Sequence, residues 1–334
     1  MNPGITVIIC WHTGELLKRC IESLNHQTHV TFECYVVCDD HPPFELPSWA
    51  WILLSKDGPA GKRNLAASKA KGKYLVFLDD DVELSPHCLY QLKRGLEERP
   101  QSAMEFAKIL KMDRRDVFDD CGSWLTPTGF LWSRAGNNLK DVGQYDEPCR
   151  ILAGKSATCI VRRSAFNDVF GFDPAYFILG EETDLAWRMW LFNTEVWYNP
   201  RAQSWHAFGT SLKPKQEYYS LERIHYHGCK NYITLLVTHL SWPKLLTILP
   251  IHLSIWIASI IGFLIRGEWE RGWNILRGLT YCSRRWKIIM RKRMVLQSTR
   301  RISDKALLPH ITRNPQAIYY VSRLWRYMLQ GLHG

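Results

Sequence analysis

Residues Tyr74–Leu78 (YLVFL) form an uninterrupted apolar run that ends abruptly in three carboxylates, Asp79-Asp80-Asp81. No other feature restricts the fold of this chain so tightly. A short apolar run of this kind reads as a strand buried on both faces, which needs a sheet with helices on either side. The preceding sequence supplies the rest of it. Ile5–Cys10 (ITVIIC) is a β-branched run, Phe32–Cys38 (FECYVVC) is a second that leads into Asp39-Asp40, and Trp51–Leu54 is a short third. Between them Glu15–Leu24 carries Leu16, Leu17, Cys20, Ile21 and Leu24 on one helical face, and Ala60–Ala70 is a helix rich in Ala and Lys. Ser85 is read as an N-cap, with Pro86 in the first turn, for a helix to about Glu98. The β-α-β-α-β order predicts an α/β fold with a mostly parallel sheet. In such sheets ligands bind beyond the carboxyl ends of the strands, where both acidic clusters fall.

The second half is read more coarsely. Residues 101–150 are less regular, with many Gly, Asn and Asp. Ile151–Val161 reads as strand, Ser164–Phe170 as helix and Asp184–Phe192 as a short amphipathic helix. Glu195–Tyr198 is a strand leading to His206, and Tyr218–Thr238 looks helical.

With 334 residues the chain can bury a sizeable core, and 46% hydrophobic against 22% charged residues excludes disorder as its main state. Ten cysteines without a CxxC pair are too sparse for a disulfide scaffold and read as free thiols in a reducing compartment. No secretory signal is read at the start, so the chain is expected in the cytosol or on the cytosolic side of a membrane. The net charge of +11 is unevenly distributed. Residues 266–334 hold 15 Lys+Arg against 3 Asp+Glu, leaving the rest of the chain at −1. A basic tail suits nucleic acid or an anionic membrane surface. No nucleic-acid motif accompanies it, whereas Leu245–Ile265, 21 residues without Asp, Glu, Lys or Arg, lies just before it. A single crossing would export the basic tail, against the positive-inside tendency. The expectation is therefore peripheral or re-entrant attachment at the cytoplasmic face, through a hairpin bent near Pro250 or an interfacial helix. The predicted division is 1–215 for the α/β domain and 216–334 for a helical, basic, membrane-associating region.

Several residues carry chemistry. Adjacent carboxylates raise each other's pKa unless a cation sits among them, and oxygen ligands suit Mg²⁺ or Mn²⁺. In extended geometry Asp79 and Asp81 point to one side and Asp80 to the other. Such an ion could neutralise a diphosphate leaving group; the plain alternative is a solvated turn. Gly58-Pro59-Ala60-Gly61-Lys62-Arg63-Asn64 opens a helix, where Gly58 allows close backbone approach and Arg63 could clamp a phosphate. It also reads as an ordinary loop-to-helix junction. Asp39 could accept hydrogen bonds from a nucleobase or ribose, or simply start the turn before His41-Pro42. In Gly180-Glu181-Glu182-Thr183-Asp184 the carboxylates open a helix, and one could act as general base. They could equally cap the helix, with Arg188 paired to Asp184. His206 is either structural or a Mn²⁺ ligand beside carboxylates.

Together the stretches VVCDD, GPAGKRNLAASKAKGKYLVFLDDDVEL, DVGQYDEP, ILAGKSATCIVRRSAFNDVFGFDPAYF, GEETDLAWR and WHAFGTS resemble the family 2 glycosyltransferases of GT-A fold. The likeness is greatest to the rhamnosyltransferase-like branch of bacterial surface polysaccharide synthesis, and it runs from about Ile5 to about Asp304. The resemblance implies that Asp39 binds the base of a nucleotide-sugar, and that Gly58, Arg63, Asp79 and Asp80 approach its ribose and diphosphate. It implies Asp79, Asp81 and His206 as ligands of Mn²⁺ or Mg²⁺, Asp81 most directly. The catalytic base is Glu182, Glu181 or Asp184; Glu182 stands where the family usually has Asp. Trp11-His12-Thr13 also departs from the usual Thr/Ser-Tyr-Asn. The implied reaction is inverting transfer to a saccharide or polyprenyl-linked acceptor. A nucleotidyltransferase would need a Gly-rich basic loop after the first strand, which Cys10–Glu15 does not provide. An inactive, scaffold-type relative is the other alternative.

Overall fold

The computed structural model describes residues 3–11, 14–135, 138–208 and 223–315. The chain divides into two compact units. The first comprises Met1–Gly122, Ser133–Phe177 and Glu181–Lys215; the second comprises Ser123–Trp132, Ile178–Gly180 and Gln216–Gly334.

The first unit opens with β1 (Ile5–Cys10), α1 (Leu16–Asn25), β2 (Phe32–Cys38), β3 (Ala50–Leu54), α2 (Pro59–Lys69) and β4 (Tyr74–Asp79). Then come β5 (Val82–Leu84), α3 (Cys88–Glu98), β6 (Ser102–Lys111) and β7 (Phe118–Asp120). Next in the chain comes a small ribbon that falls almost wholly in the second unit, β8 (Ser123–Leu125) paired with β9 (Leu131–Ser133). The sheet resumes with β10 (Cys149–Arg150), β11 (Thr158–Arg162), α4 (Arg163–Asp168), α5 (Glu181–Leu191) and β12 (Glu195–His206). Its spatial order is β10-β12-β6-β11-β4-β1-β2-β3, with β5 added to β12 and β7 to β6. The apolar runs place Val7 and Ile9 of β1 and Val76 and Leu78 of β4 in one core with Leu17, Ile21 and Leu24 of α1 and Leu89, Leu92 and Leu96 of α3. Full burial of each such side chain contributes about 1.5–3 kcal/mol.

The sheet differs from the mostly parallel expectation. Strands β3-β2-β1-β4 are parallel, but β11 runs antiparallel to both β4 and β6. Parallel neighbours need a crossover connection. The chain between β4 and β11 instead wanders through β5 to β10 and re-enters from the other end.

Other expectations shift as well. Strand β6 lies inside residues 101–150, where no regular element was anticipated; nine of its ten residues are buried. The strand expected from Ile151 begins at Thr158. Ser85 is not an N-cap: its N–H donates to Gln203 O, and α3 starts at Cys88 after His87. Strand β12 continues to His206, with a register irregularity between Asn199 and Gln203.

The second unit is helical. A π-helical turn at Arg223–His227 runs into α6 (Gly228–His239), followed by α7 (Trp242–Ile265), α8 (Trp269–Arg284), α9 (Trp286–Ser298) and α10 (Asp304–Ile311). Residues 218–222 of the anticipated helix lie outside the described residues. Buried Arg293 of α9 donates to Val237 O and Leu240 O, satisfying carbonyls at the end of α6. Helix α7 is 24 residues long and passes through Pro250 without a break, so the hairpin does not bend there. A proline in a helix frees one carbonyl, here that of Leu246, whose residue is 68% exposed. The reversal comes instead at Gly267, which takes φ +74°, and α8 folds back with Gly272 against Ile260 O and Leu264. Among the described residues α7 alone is long and apolar enough to cross a membrane, and only 17% of its most apolar window is buried.

Candidate active site

Central strand β4 delivers Asp79 to the carboxyl end of the parallel strands, and the chain then turns through Asp80 and Asp81 into β5. Strand β5 pairs with the end of β12, setting His206 opposite Val82. This seats the imidazole over the acidic turn: His206 Nε2 lies 3.2 Å from Asp81 Oδ1. The backbone joins them too, since Ala207 N donates to Asp81 O. One ligand atom from each of Asp79, Asp81 and His206 lies within 4.8 Å of the others. Asp81 and His206 are buried, and Asp79 and Asp80 half-buried. Two carboxylates and one imidazole on rigid strand ends fit Mn²⁺ or Mg²⁺ by donor chemistry.

A residue that the sequence did not single out completes the arrangement. His206 Nδ1 lies 2.9 Å from Asp119 Oδ2, at the end of the β6–β7 hairpin. Both Asp119 oxygens accept from Lys155 Nζ at 2.7 Å. Burial pushes the Asp119 carboxyl up, but Lys155 and His206 outweigh it and hold it well below its ordinary range. For His206 burial acts downward, yet Asp81 and Asp119 raise its pKa to about 10, so without an ion the imidazolium is the cation between them. With Nδ1 bound to a carboxylate, Nε2 is the nitrogen left for a metal. The only sequence signal for Asp119 was its place in Asp119-Asp120, within a stretch that looked irregular.

Arg63, in the second turn of α2, is buried and bridges two acidic groups. Its Nη2 is 3.0 Å from Asp79 Oδ1 and its Nη1 is 3.4 Å from Glu181 Oε1. Burial works against its charge, but Asp79 and the other anionic neighbours more than restore it. Asn64 fixes the start of α2, bonding both Phe172 N and Phe172 O. Gly58 precedes α2 in extended conformation, and a Cβ there would meet the Phe177 ring at 2.9 Å. Asp39, at the end of β2, is held by Lys62 Nζ at 2.9 Å. Lys62 belongs to the motif around Arg63, but nothing in the sequence pairs it with Asp39. Cys10, ending β1, is within electrostatic reach of Arg63, Asp79 and Lys62, and burial pushes its thiol up to about 11.

The three carboxylates of α5 differ. Asp184 is buried and bonded to Arg188 Nε at 2.9 Å, the ion-pair alternative stated above. Glu181 is buried against Arg63. Glu182 is only half-buried. Burial and the neighbouring Glu181 push its carboxyl well above the ordinary glutamate value. Arg63 thus links the acidic turn to the head of α5, and Glu182 is the more accessible member of the Glu181–Glu182 pair.

Residues 6–170 match the family described as "Glycosyl transferase family 2". Among curated proteins, the chain is 25% identical over 206 residues to the O-antigen biosynthesis protein RfbC of Myxococcus xanthus, covering 56% of this chain and 16% of that protein. It is 29% identical over 126 residues to the succinoglycan biosynthesis protein ExoO of Rhizobium meliloti, covering 34% and 36%. It is 24% identical over 234 residues to the inactive polypeptide N-acetylgalactosaminyltransferase-like protein 5 of Macaca fascicularis, covering 61% and 51%. The chain therefore spans about half or less of the length of these relatives. In structure it resembles the mannosyltransferase PcManGT of Pyrobaculum calidifontis, solved with GDP-Man and Mn²⁺: TM-score 0.52 at 14% identity, covering 98% of this chain and 84% of that one. The fold is GT-A.

Proposed function

Through residues 6–170 the chain belongs to glycosyl transferase family 2, and from that premise we propose that it moves a sugar from a nucleotide-sugar to an acceptor hydroxyl. The observation that carries this reading is the convergence of Asp79, Asp81 and His206 with Arg63 and the Glu181–Glu182 pair. The transfer is inverting. Glu182 takes the proton of the acceptor hydroxyl, and that oxygen forms its bond to the anomeric carbon. The bond from that carbon to the diphosphate oxygen breaks on the opposite face, and the nucleoside diphosphate leaves. Arg63 meets the departing charge with a fixed guanidinium in a buried site, where such stabilisation is strong. Asp79, Asp81 and His206 hold Mn²⁺ or Mg²⁺, which when bound neutralises diphosphate charge. Asp39 receives the nucleobase, exchanging Lys62 for it. Asp80 and the backbone at Gly58 flank the ribose and diphosphate.

The first unit is the catalytic domain, and the helical remainder from about residue 216 attaches the enzyme peripherally to the cytoplasmic face of a membrane. Exposed apolar residues along α7 support that attachment. The acceptor is a saccharide, carried on a polyprenyl lipid, in cell-surface glycan synthesis. The names of two relatives, for O-antigen and succinoglycan biosynthesis, support that setting. A second reading, an inactive scaffold, is favoured by one relative named as inactive.

The test is nucleotide release from a panel of sugar nucleotides, with a lipid-linked saccharide acceptor and Mn²⁺ or EDTA, for wild type and Asp81→Ala. Release that needs Mn²⁺ and falls at least ~100-fold in the variant is the expected outcome. Nucleotide binding without release across the panel would favour the scaffold, and absence of metal-dependent nucleotide binding would overturn the site altogether.

A further inference from the structure

We propose that the second unit carries a binding site for the phosphate headgroup of an anionic phospholipid, in a basic cleft at the start of α7. The cleft has a volume of about 960 Å³ and is lined by Lys244, Arg300, Arg301 and Lys305, with Ser241 and Ser303 at its rim. Its one acidic lining residue, Asp304, is buried and already committed. One Asp304 oxygen accepts from Arg300, and the other accepts from Ser241 N at 2.8 Å. The leading N–H of the helix is thus taken by the chain's own carboxylate, so it is the side chains that offer the positive charge. Lys244, Arg301 and Lys305 are all exposed. Among the described lining residues four cations stand against one carboxylate, an excess of positive charge that favours a compact anion with several acceptor oxygens, such as a phosphodiester.

The surroundings favour a lipid-borne phosphate over a free one. Trp242 and Leu246 on the first turns of α7 are 50% and 68% exposed. The Trp242 ring lies 4.2 Å from the Arg293 guanidinium, an amphipathic placement typical of the headgroup level. Farther along, Ile257, Ile261 and Ile265 are also more than half exposed. Acyl chains can follow this apolar surface while the headgroup occupies the cleft, the arrangement found where basic pockets border membrane helices. The inference rests on α7 contacting lipid. It adds selectivity for a headgroup.

The experiment uses the full-length chain with vesicles of phosphatidylcholine alone or with phosphatidylglycerol added. Binding to neutral vesicles reports the apolar contact of α7; the ratio between the two vesicle types reports the cleft. A cation near an anionic surface contributes roughly fivefold to partitioning, so R301E/K305E should lower the phosphatidylglycerol preference by ~25-fold or more. Neutral-vesicle binding should change by less than about threefold. The control K287E/R291E alters the same number of exposed charges on α9 and should lose far less of the preference. Equal losses in both double variants, or an unchanged preference in R301E/K305E, would overturn the site. Inorganic diphosphate is titrated by calorimetry in parallel. Micromolar uptake of it by a chain with no phosphatidylglycerol preference would replace the lipid by a soluble phosphate and also overturn the proposal. Loss of binding to both vesicle types in the wild type would instead reject the membrane reading of α7.

Discussion

Two side chains bear most directly on the chemistry, and neither role is settled by residue type alone. The proposed base Glu182 would work only when ionised, and its carboxyl sits well above the ordinary glutamate value because of burial and Glu181. The rate should therefore fall as pH drops through that raised value, on a limb displaced to higher pH than a free glutamate would give. Glu182→Gln should lower kcat by ~10²–10⁴ with donor affinity retained. Glu181→Gln removes the negative neighbour and should move the acid limb to lower pH, which a pH–rate profile will register. In the proposed site Asp119 would act through His206, which it contacts at 2.9 Å. Asp119→Asn should weaken Mn²⁺ binding by ~10–100-fold, read by calorimetry without donor or acceptor. Unchanged Mn²⁺ affinity in a folded variant would make Asp119 a purely structural partner of Lys155.

At the scale of the element, the sequence was most legible where one physical signal dominated. The apolar runs of β1, β2 and β4 and the helical stripe of α1 left little choice, and the acidic turn after β4 followed from them. Strand β6 escaped because Glu105 and Lys108 interrupt its apolar pattern. Both are buried, and three of their four partners are distant in sequence: Asn199 joins nearby Arg99 in holding Glu105, and Asp141 and Asp146 hold Lys108. No local pattern can announce a strand whose polar residues are satisfied largely by segments more than thirty positions away. Asp119 was hidden for the same reason, since its worth depends on β12. Helix α3 bears the trace of this arrangement. A Cβ at Gly95 would overlap Glu105 Oε2 and Asn199 Nδ2 and come within 2.7 Å of Arg99 Nη2. Gly95→Ala should therefore destabilise the fold by ~1–3 kcal/mol in thermal denaturation, although alanine is the better helix former.

Across the whole molecule, the division into units follows space more than sequence. The second unit takes in Ser123–Trp132 and Ile178–Gly180 as well as the C-terminal helices. Within it, Phe130 packs on Tyr232, His252 and Trp256, and Asn231 Nδ2 donates to Ile178 O and Leu179 O. A cut at residue 215 would strip two internal segments of their packing, which is why membrane attachment is better tested by point substitution. Leu246→Glu with Ile261→Glu changes only exposed positions of α7. The pair should shift the chain from membrane pellet to supernatant on cell fractionation, while purified variant and wild type bind nucleotide alike. Equal pelleting of both would count against α7 as the anchor.

The β5–β12 ladder has a consequence for the order in which the parts of the site are made. Asp79 and Asp81 leave the ribosome first, and the strand that brings His206 to them is translated more than a hundred residues later. Until β12 has emerged and slotted in beside β6, a growing chain has its acidic turn without the histidine. The Asp79–Asp81–His206 group is therefore completed only when β12 docks, and a chain truncated before β12 lacks its histidine.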